Sequence, residues 1–277
     1  MSNNLNNRKQ KISAVFDLVA SGYDNPSLRF FPFCADALIH FIRPPSASKI
    51  LDVATGTGAA AVAAAQTIGP NGRVQAIDLA EDMIEKAIKN VDKMALNNVD
   101  FHVMDAEQLE FKNDYFDAVM CSFGIFFLPD MNTALSNWLR VLKPGGQVAF
   151  TIFGETAFKP MADLFRSQIE EYGVVFDDAA WQALKHEQDC QDLLEAAGAV
   201  DIRVVEKQMG YHLNDASNWW DVIWNSGFRG YIEQLNPEQL SDFRTKHLQS
   251  VSELVTDKGL WMDVSVLFAG GKKTIDN

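Results

Sequence analysis

The sequence predicts a doubly wound α/β fold with a mostly parallel sheet of seven strands and a helical cap. From Ser48 onward, short apolar runs alternate with stretches of helical periodicity, a pattern typical of parallel strands with helices on both faces. A glycine-rich turn follows the first run, and an aromatic-rich stretch near the end interrupts the alternation. In such folds, ligands bind at the carboxyl ends of the strands.

Seven apolar runs bounded by turn residues supply the predicted strands. In chain order they are Lys49–Val53, Arg73–Ile77, Val99–Met104, Phe116–Ser122, Gln147–Phe153, Asp201–Glu206 and Leu260–Phe268. Helical spacing of apolar residues and turn signals predict the helices between them. These helices are Ala59–Ile68, Ala80–Leu96, Asn132–Leu142 and Leu193–Ala197.

Three segments lie outside this alternation and are candidates for a lid over the strand ends. They are a helical lead at 12–43, a connection at 154–186 and an aromatic-rich helical insert at 208–258. We therefore divide the chain into an N-terminal lead at 1–47, a ligand-binding core at 48–153, and a remainder at 154–277 whose insert forms a cap.

Length, composition and charge limit the class of protein. The chain has 277 residues, 47% of them hydrophobic, enough for one large core. No apolar run is long enough to span a bilayer, and the polar start does not resemble a signal peptide, so we expect a cytoplasmic protein. The net charge of −13 and the lack of a basic stripe argue against nucleic acid as a partner. The sequence is compatible with a homodimer.

Cysteine and histidine spacing predicts no metal site. The three cysteines are Cys34, Cys121 and Cys190, and no two of them have the spacing of a metal or redox pair. They are interpreted as buried, reduced thiols. The histidines also show no paired metal spacing.

The glycine-rich turn, Leu51–Gly58, predicts a nucleoside site. Glycine allows a backbone to approach a ligand that a Cβ would block. The turn also matches a dinucleotide fingerprint, with Asp78 at the distance expected of a ribose-binding acid. However, a carboxylate at Asp52 would repel a pyrophosphate at the helix start, whereas it would favour the ammonium group of a methionine moiety.

Carboxylates also follow the next two strands, which suggests how a sulfonium nucleoside is bound. Asp78 is placed to accept hydrogen bonds from ribose hydroxyls, and Asp105 to accept one from the adenine amine, with the Ala106 N–H on a ring nitrogen. Ser122 and Phe123 would lie beside the sulfonium. Either aspartate alone could equally cap the following helix; their joint order favours the binding interpretation.

The residues from about Val15 to Phe153 resemble the class I S-adenosylmethionine methyltransferases, and among them the ubiquinone- and menaquinone-biosynthesis (UbiE-like) type. The stretches that carry the resemblance are Val15-Phe16 with Ala20, Tyr23-Asp24, Leu51–Gly58, Ile77–Met83, Asp105–Leu109, Cys121–Gly124 and Val141–Gly146. One departure is Ala54, which stands where the family's turn usually has its first glycine. After Phe153 the likeness to the quinone enzymes fades.

The resemblance implies that Thr57, Asp78, Asp105, Ala106 and Ser122 contact S-adenosylmethionine and that Tyr23 closes over it, with S-adenosylhomocysteine as the product. Together with the strand-end reasoning, it defines the predicted cofactor-binding set. That set is Tyr23, Asp52, Ala54, Thr55, Gly56, Thr57, Gly58, Asp78, Leu79, Met83, Asp105, Ala106, Ser122 and Phe123.

The abundance of aromatic residues predicts a small apolar or aromatic acceptor, methylated on oxygen or carbon. In the insert, positions 220, 224, 228 and 231 share one face if the segment is a single helix. No catalytic base is assigned, although His186, His212, Tyr23 and Tyr211 are options. Arg229 could bind an acidic acceptor, but a pair with Glu233 is favoured.

Three alternatives stay open. An NAD-type oxidoreductase would use the same glycine turn, although Asp52 argues against it. A nucleic-acid methyltransferase would want a basic groove and an Asn/Asp-Pro-Pro-aromatic motif after the fourth strand, where this chain has Ser122–Ile125. A non-methylating enzyme that uses the cofactor as a scaffold would have the same cofactor site.

Overall fold

The computed structural model describes residues 2–176 and 184–275. Its strands are β1 (Lys49–Val53), β2 (Arg73–Asp78), β3 (Val99–Val103), β4 (Phe116–Ser122), β5 (Leu142–Phe153), β6 (Val200–Gln208), β7 (Tyr211–Leu213), β8 (Leu260–Met262) and β9 (Ser265–Lys272). The part of the predicted connection at 177–183 lies outside the described residues.

The longer helices are α1 (Ser2–Val19), α2 (Phe30–Ile42), α3 (Ala59–Ile68), α4 (Glu81–Lys93), α5 (Met131–Val141), α6 (Met161–Glu170), α7 (Glu187–Ala196), α8 (Ala216–Trp224) and α10 (Pro237–Ser252), with the short α9 (Arg229–Ile232) between the last two. Among the described helices, none is long and apolar enough to cross a bilayer.

Seven strands form the main sheet in the order β3-β2-β1-β4-β5-β9-β6. The pairs from β3 to β5 are parallel, and β9 runs antiparallel to both of its neighbours. The predicted doubly wound, mostly parallel seven-stranded sheet is therefore confirmed. The strand order reverses between β1 and β4, and a ligand crevice is expected at such a switch point.

Local sequence explains why the central elements form. β1 and β4 are almost wholly buried, as their continuous apolar runs require between two helical layers. In α4 the buried residues are Met83, Ile84, Ala87 and Val91, which is the spacing of one helix face. α3 is alanine-rich, and its small buried side chains allow it to pack closely against α2 and β2.

The predicted final strand at Leu260–Phe268 is wrong in one respect, because it is two strands in two sheets. β8 pairs antiparallel with β7 in a separate two-stranded sheet, and β9 enters the main sheet. The chain turns at Asp263, whose carboxylate accepts the Ser265 N–H at 3.0 Å. Because apolar residues lie on both sides of this turn, the hydrophobic pattern alone predicts one continuous strand.

The lead and the insert differ in detail from the prediction. α1 begins at Ser2, ten residues before the predicted helical lead at 12–43. The insert at 208–258 starts with β7 and then breaks into separate helices, so positions 220, 224, 228 and 231 do not share one helix face. Trp224 is 37% exposed, whereas Trp220 and Phe228 are buried. The break at 225–228 separates the two halves of the predicted aromatic face.

Candidate functional site

A cavity opens at the carboxyl ends of β1, β2, β3 and β4, at the point where the strand order reverses. The loops after these strands form its floor, and α1 covers it. The lining residues contributed by the strand-end loops include Ala54, Gly56, Asp78, Leu79, Ala80, Met104, Asp105, Ala106, Ser122, Phe123 and Gly124.

The turn after β1 has the left-handed backbone that its composition suggests. Gly56 and Gly58 have φ values of 55° and 88°, and Ala54 also has a positive φ of 54°. A Cβ added at Gly124 would lie 2.5 Å from the Cβ of Ala54. Gly124 therefore provides the space that allows alanine to replace the family's glycine at position 54.

Asp52 lies beneath this turn and does not line the cavity. Its Oδ2 accepts the Thr55 hydroxyl at 2.5 Å, and its side chain is fully buried. Burial raises the pKa of the Asp52 carboxyl to about 7, opposed by the bond from Thr55 and reinforced by the nearby Asp78 carboxylate. The carboxylate is thus turned toward Thr55 through one oxygen, and its contact with an ammonium group, directly or through water, stays a prediction.

Asp78 ends β2, accepts backbone N–H groups on both oxygens and also lines the cavity. Its Oδ2 accepts the Gly56 N–H at 2.8 Å and its Oδ1 accepts the Ala80 N–H at 2.9 Å. It therefore fixes the glycine turn and the start of α4 while lining the cavity. Burial raises the pKa of Asp78, against the effect of these hydrogen bonds.

Asp105, after β3, is held from two sides. Its Oδ1 accepts the Glu107 N–H at 2.9 Å, as a capping residue does. Its Oδ2 accepts a bond of 2.7 Å from the Lys9 ammonium, which also pairs with the Glu107 carboxylate. Partial burial acts to lower the pKa of Lys9, but its bonds with Asp105 and Glu107 outweigh that effect and raise it.

Most of the predicted cofactor-binding set lines this cavity. The residues that do so are Tyr23, Ala54, Gly56, Asp78, Leu79, Asp105, Ala106, Ser122 and Phe123. Those that do not are Asp52, Thr55, Thr57, Gly58 and Met83.

The residues outside the cavity wall have other partners. The Thr57 hydroxyl donates to Asp24 at 2.7 Å, and Gly58 is the N-cap residue that precedes α3. Met83 is buried in a small cluster with Val19, Ala20 and Ala80. The roles of the whole set toward a cofactor stay predictions.

One face of α1 completes the cavity and was missed by the sequence analysis. Lys9, Ile12, Ser13 and Phe16 line it, at the i, i+3, i+4, i+7 spacing of a single helix face. The Ser13 hydroxyl donates to the Leu79 carbonyl at 3.2 Å. The apolar members of this periodicity could have been found from sequence, but polar residues at positions 2–11 obscured the start of the helix.

A second, smaller cavity adjoins the first and is lined almost entirely by aromatic rings. Phe16, Tyr23, Phe123 and Phe127 line both cavities, so they form the boundary between them. The remaining lining residues are Phe30, Phe31, Phe126, Phe153, Phe158, Val222, Ser226, Gly227 and Phe228.

Tyr23 lies at this boundary. Its ring stacks on Phe31 with 4.8 Å between centroids and 20° between planes. Burial raises the pKa of its hydroxyl, and the carboxylates of Asp78 and Asp24 raise it further. Tyr23 is consequently a neutral hydrogen-bond donor at physiological pH.

The other candidate bases lie elsewhere. The exposed His186 precedes α7, and its N–H donates to Asp189 at 2.8 Å. His212 is exposed and packs its ring edge on Trp261. The Tyr211 hydroxyl donates to the Ser27 carbonyl at 2.9 Å.

Arg229 pairs with Glu233 at 2.6 Å, as the favoured reading expected. Its guanidinium also lies 3.3 Å from the centroid of the Trp224 ring. Neither Arg229 nor the candidate bases His186, His212 and Tyr211 line the two cavities.

Comparison with known proteins agrees with this architecture. The chain is 37% identical over 143 residues to an aklanonic acid methyltransferase of Streptomyces sp. strain C5, covering 52% of this chain and 65% of that protein. It is 26% identical over 247 residues to a nocamycin O-methyltransferase of Saccharothrix syringae, covering 81% and 85%. The matched segment thus spans less than two thirds of the length of the first relative.

A crystal structure of a protein from Bacillus halodurans C-125, described as a methyltransferase, superposes with a TM-score of 0.58 at 25% identity. The superposition covers 87% of this chain and 99% of that one. This superposition confirms the predicted fold class. The similarity to methyltransferases supports S-adenosylmethionine as the cofactor and gives no support to an NAD-type oxidoreductase. The ubiE/COQ5 methyltransferase family matches residues 4–196, and the chain belongs to that family.

Proposed function

We propose that the protein transfers the methyl group of S-adenosylmethionine to a small apolar or aromatic molecule. The observation that carries this proposal is the contact between two cavities of different chemistry. One contains carboxylates from two adjacent strand ends, and the other is walled by aromatic rings. A polar nucleoside and an apolar acceptor would meet at their shared wall.

The residues present fit the cofactor. Asp78 would hold the ribose hydroxyls, and Asp105 with the Ala106 N–H would hold the adenine ring. Ser122 and Phe123 would lie beside the sulfonium, whose charge favours contact with aromatic faces. The cofactor supplies an electrophilic methyl group, so the main task of the chain is to bind and orient both reactants.

The acceptor side is formed by rings that exclude water. Phe123 and Phe153 stack with centroids 4.3 Å apart, and Phe30 packs edge-on against Phe123. Such walls favour a flat, apolar molecule and suit attack by an oxygen or carbon anion. One relative is named for methylation of aklanonic acid and the other for O-methylation of nocamycin, which supports O-methylation of a small acceptor.

In this proposal the lead at 1–47 and the insert at 208–258 cover the core at 48–153, and the remainder at 154–277 completes the fold. The acceptor is not a nucleic acid, since the net charge of −13 would repel one. The cytoplasmic location and the possibility of a homodimer stay predictions from the sequence.

Binding of S-adenosylhomocysteine tests the cofactor site. Calorimetry should show binding to the wild type, no binding of NAD, and at least about thirtyfold weaker binding to Asp78→Ala, because a charge-assisted pair of hydrogen bonds is lost. Asp92→Ala, on the exposed face of α4, is the control. Unchanged affinity in Asp78→Ala would contradict the assignment.

Transfer itself is tested with methyl-labelled S-adenosylmethionine and a fractionated cell extract. Label should pass to an organic-soluble small molecule and not to nucleic acid. Cofactor binding without label transfer to any acceptor would favour the scaffold alternative.

A further inference from the structure

The roof of the cofactor cavity carries one positive charge at the edge where the adenine would lie. The Lys9 ammonium is 2.7 Å from Asp105 Oδ2 and also contacts the Glu107 carboxylate. The Lys9 side chain is 16% exposed and that of Glu107 only 8% exposed. This ion pair is therefore largely shielded from water and is stronger than a fully exposed one.

Lys9 and the backbone together use both oxygens of Asp105. Oδ1 accepts the Glu107 N–H and Oδ2 accepts the Lys9 ammonium. In the proposed function, on which this inference rests, the adenine amine donates to the same carboxylate. A carboxylate oxygen can accept two donors, so the amine would share an oxygen with one of these groups, and at Oδ2 the partial positive charge of the amine would be repelled by the ammonium.

Lys9 is attached to a helix that is docked independently of this pair. On α1, Ser13 donates to the Leu79 carbonyl, and Asp17 Oδ1 accepts the Asp82 N–H at 3.0 Å. Phe16 packs on Phe127 with 5.2 Å between ring centroids. Loss of the Lys9 bond would therefore leave most of the α1 contacts in place.

We propose that Lys9 is a specificity-determining residue of the cofactor cavity, whose ammonium group competes with the purine 6-amino group for Asp105. A 6-amino purine replaces the bond that Lys9 gives up. A 6-oxo purine presents an acceptor to the Asp105 carboxylate, and the two acceptors repel each other. Only a retained Lys9 ammonium, which can donate both to Asp105 and to the purine oxygen, relieves that repulsion.

Removal of the ammonium should therefore have opposite effects on the two purines. Without Lys9, Asp105 Oδ2 faces the cavity with no cationic partner among the described residues, and the Glu107 carboxylate beside it keeps only its hydrogen bond from the Asp130 N–H. A purine amine then meets an acceptor with no competitor, whereas a purine carbonyl meets unrelieved negative charge. Discrimination against the 6-oxo ligand increases.

The test is calorimetry with S-adenosylhomocysteine and its 6-oxo analogue, S-inosylhomocysteine. Lys9→Met keeps the side-chain length but removes the charge. In this variant the dissociation constant of S-inosylhomocysteine divided by that of S-adenosylhomocysteine should rise by about fivefold or more, the effect of a partly shielded ion pair. Lys9→Arg should retain the wild-type ratio because it restores the charge. Lys11→Met is the matched control, since Lys11 is exposed on the same helix.

A purely structural role of Lys9 would change both affinities by the same factor and leave the ratio unaltered; that result overturns the proposal. If the wild type binds S-adenosylhomocysteine but Lys9→Met leaves the ratio unchanged, only the role of Lys9 fails. If neither the wild type nor any variant binds it, the proposed function fails and this inference fails with it.

Discussion

The Thr57 hydroxyl donates to Asp24 across 2.7 Å, which ties the glycine turn to the N-terminal lead. The other oxygen of Asp24 accepts the Asn90 side-chain amide at 2.9 Å and lies 3.4 Å from the Lys86 ammonium. Tyr23 directly precedes Asp24. The network therefore holds the Tyr23 ring at the boundary between the two cavities.

Thr57→Val should have a moderate effect on cofactor affinity, because Thr57 lies outside the cavity lining and its bond to Asp24 acts by positioning Tyr23. We expect binding of S-adenosylhomocysteine to weaken by about three- to tenfold and the free energy of unfolding to fall by about 1–2 kcal/mol. Calorimetry and urea unfolding measure the two effects. Thr67→Val, which removes a hydroxyl bonded to the Ala63 carbonyl, is the control. A loss of affinity above about a hundredfold with unchanged stability would instead indicate the direct contact that the family resemblance implies.

Asp52→Asn should change how stability depends on pH. The folded-state pKa of Asp52 is raised from 3.8 to about 7, so the folded state holds a proton that the unfolded state loses first. This carboxyl therefore lowers the stability of the wild type as pH rises from about 4 to about 7. The variant should gain about 1–3 kcal/mol over the wild type at pH 8, with little gain near pH 4. Urea unfolding across this range is the measurement, and a difference that does not vary with pH would refute the effect.

His247 changes the free energy of unfolding with pH in the opposite direction to Asp52. Burial lowers its pKa from 6.5 to about 4, so stability is lost as pH falls from about 6.5 toward about 4. His247 Nε2 accepts the Trp219 indole N–H at 2.8 Å, and its ring stacks on Phe243.

His247→Phe keeps the ring packing but leaves the indole N–H unsatisfied. It should be less stable by about 1–3 kcal/mol at pH 7.5, and the gap should narrow toward pH 4.5. Tryptophan fluorescence during urea unfolding reports both values, with His40→Phe on an exposed position of α2 as the control. A gap that is equal at both pH values would show that His247 does not titrate as described.

Gly227 lines the aromatic cavity, and a Cβ placed there would lie 3.8 Å from the Phe127 ring. Gly227→Ala should therefore be tolerated, whereas the branches of Gly227→Val would occupy acceptor space. Once an acceptor is known, Gly227→Val should raise its KM about tenfold or more while the S-adenosylhomocysteine affinity stays within about twofold. If Gly227→Val weakened S-adenosylhomocysteine binding by the same factor as it raised the KM of the acceptor, the acceptor would lie elsewhere.

Much of the cofactor cavity was predictable because it is built from strand ends. A parallel sheet brings the carboxyl ends of successive strands to one edge, so Asp78, Asp105 and Ser122 had to lie close together once the strands were identified. The glycine turn is equally local, since Gly56 and Gly58 mark a backbone that most residues avoid. For these positions, periodicity and turn chemistry along the chain were sufficient.

Tertiary structure decided where the side chains point and what they contact across long sequence separations. The turn residues Asp52 and Thr57 face away from the cavity, toward Thr55 and Asp24. Lys9 reaches a carboxylate 96 positions later in the chain. No periodic pattern encodes such pairings, because they depend on how helices dock after the sheet has formed. Local order along the sequence therefore determined the sheet and its cofactor edge, whereas the docking of the lead and insert decided the roof and the acceptor cavity.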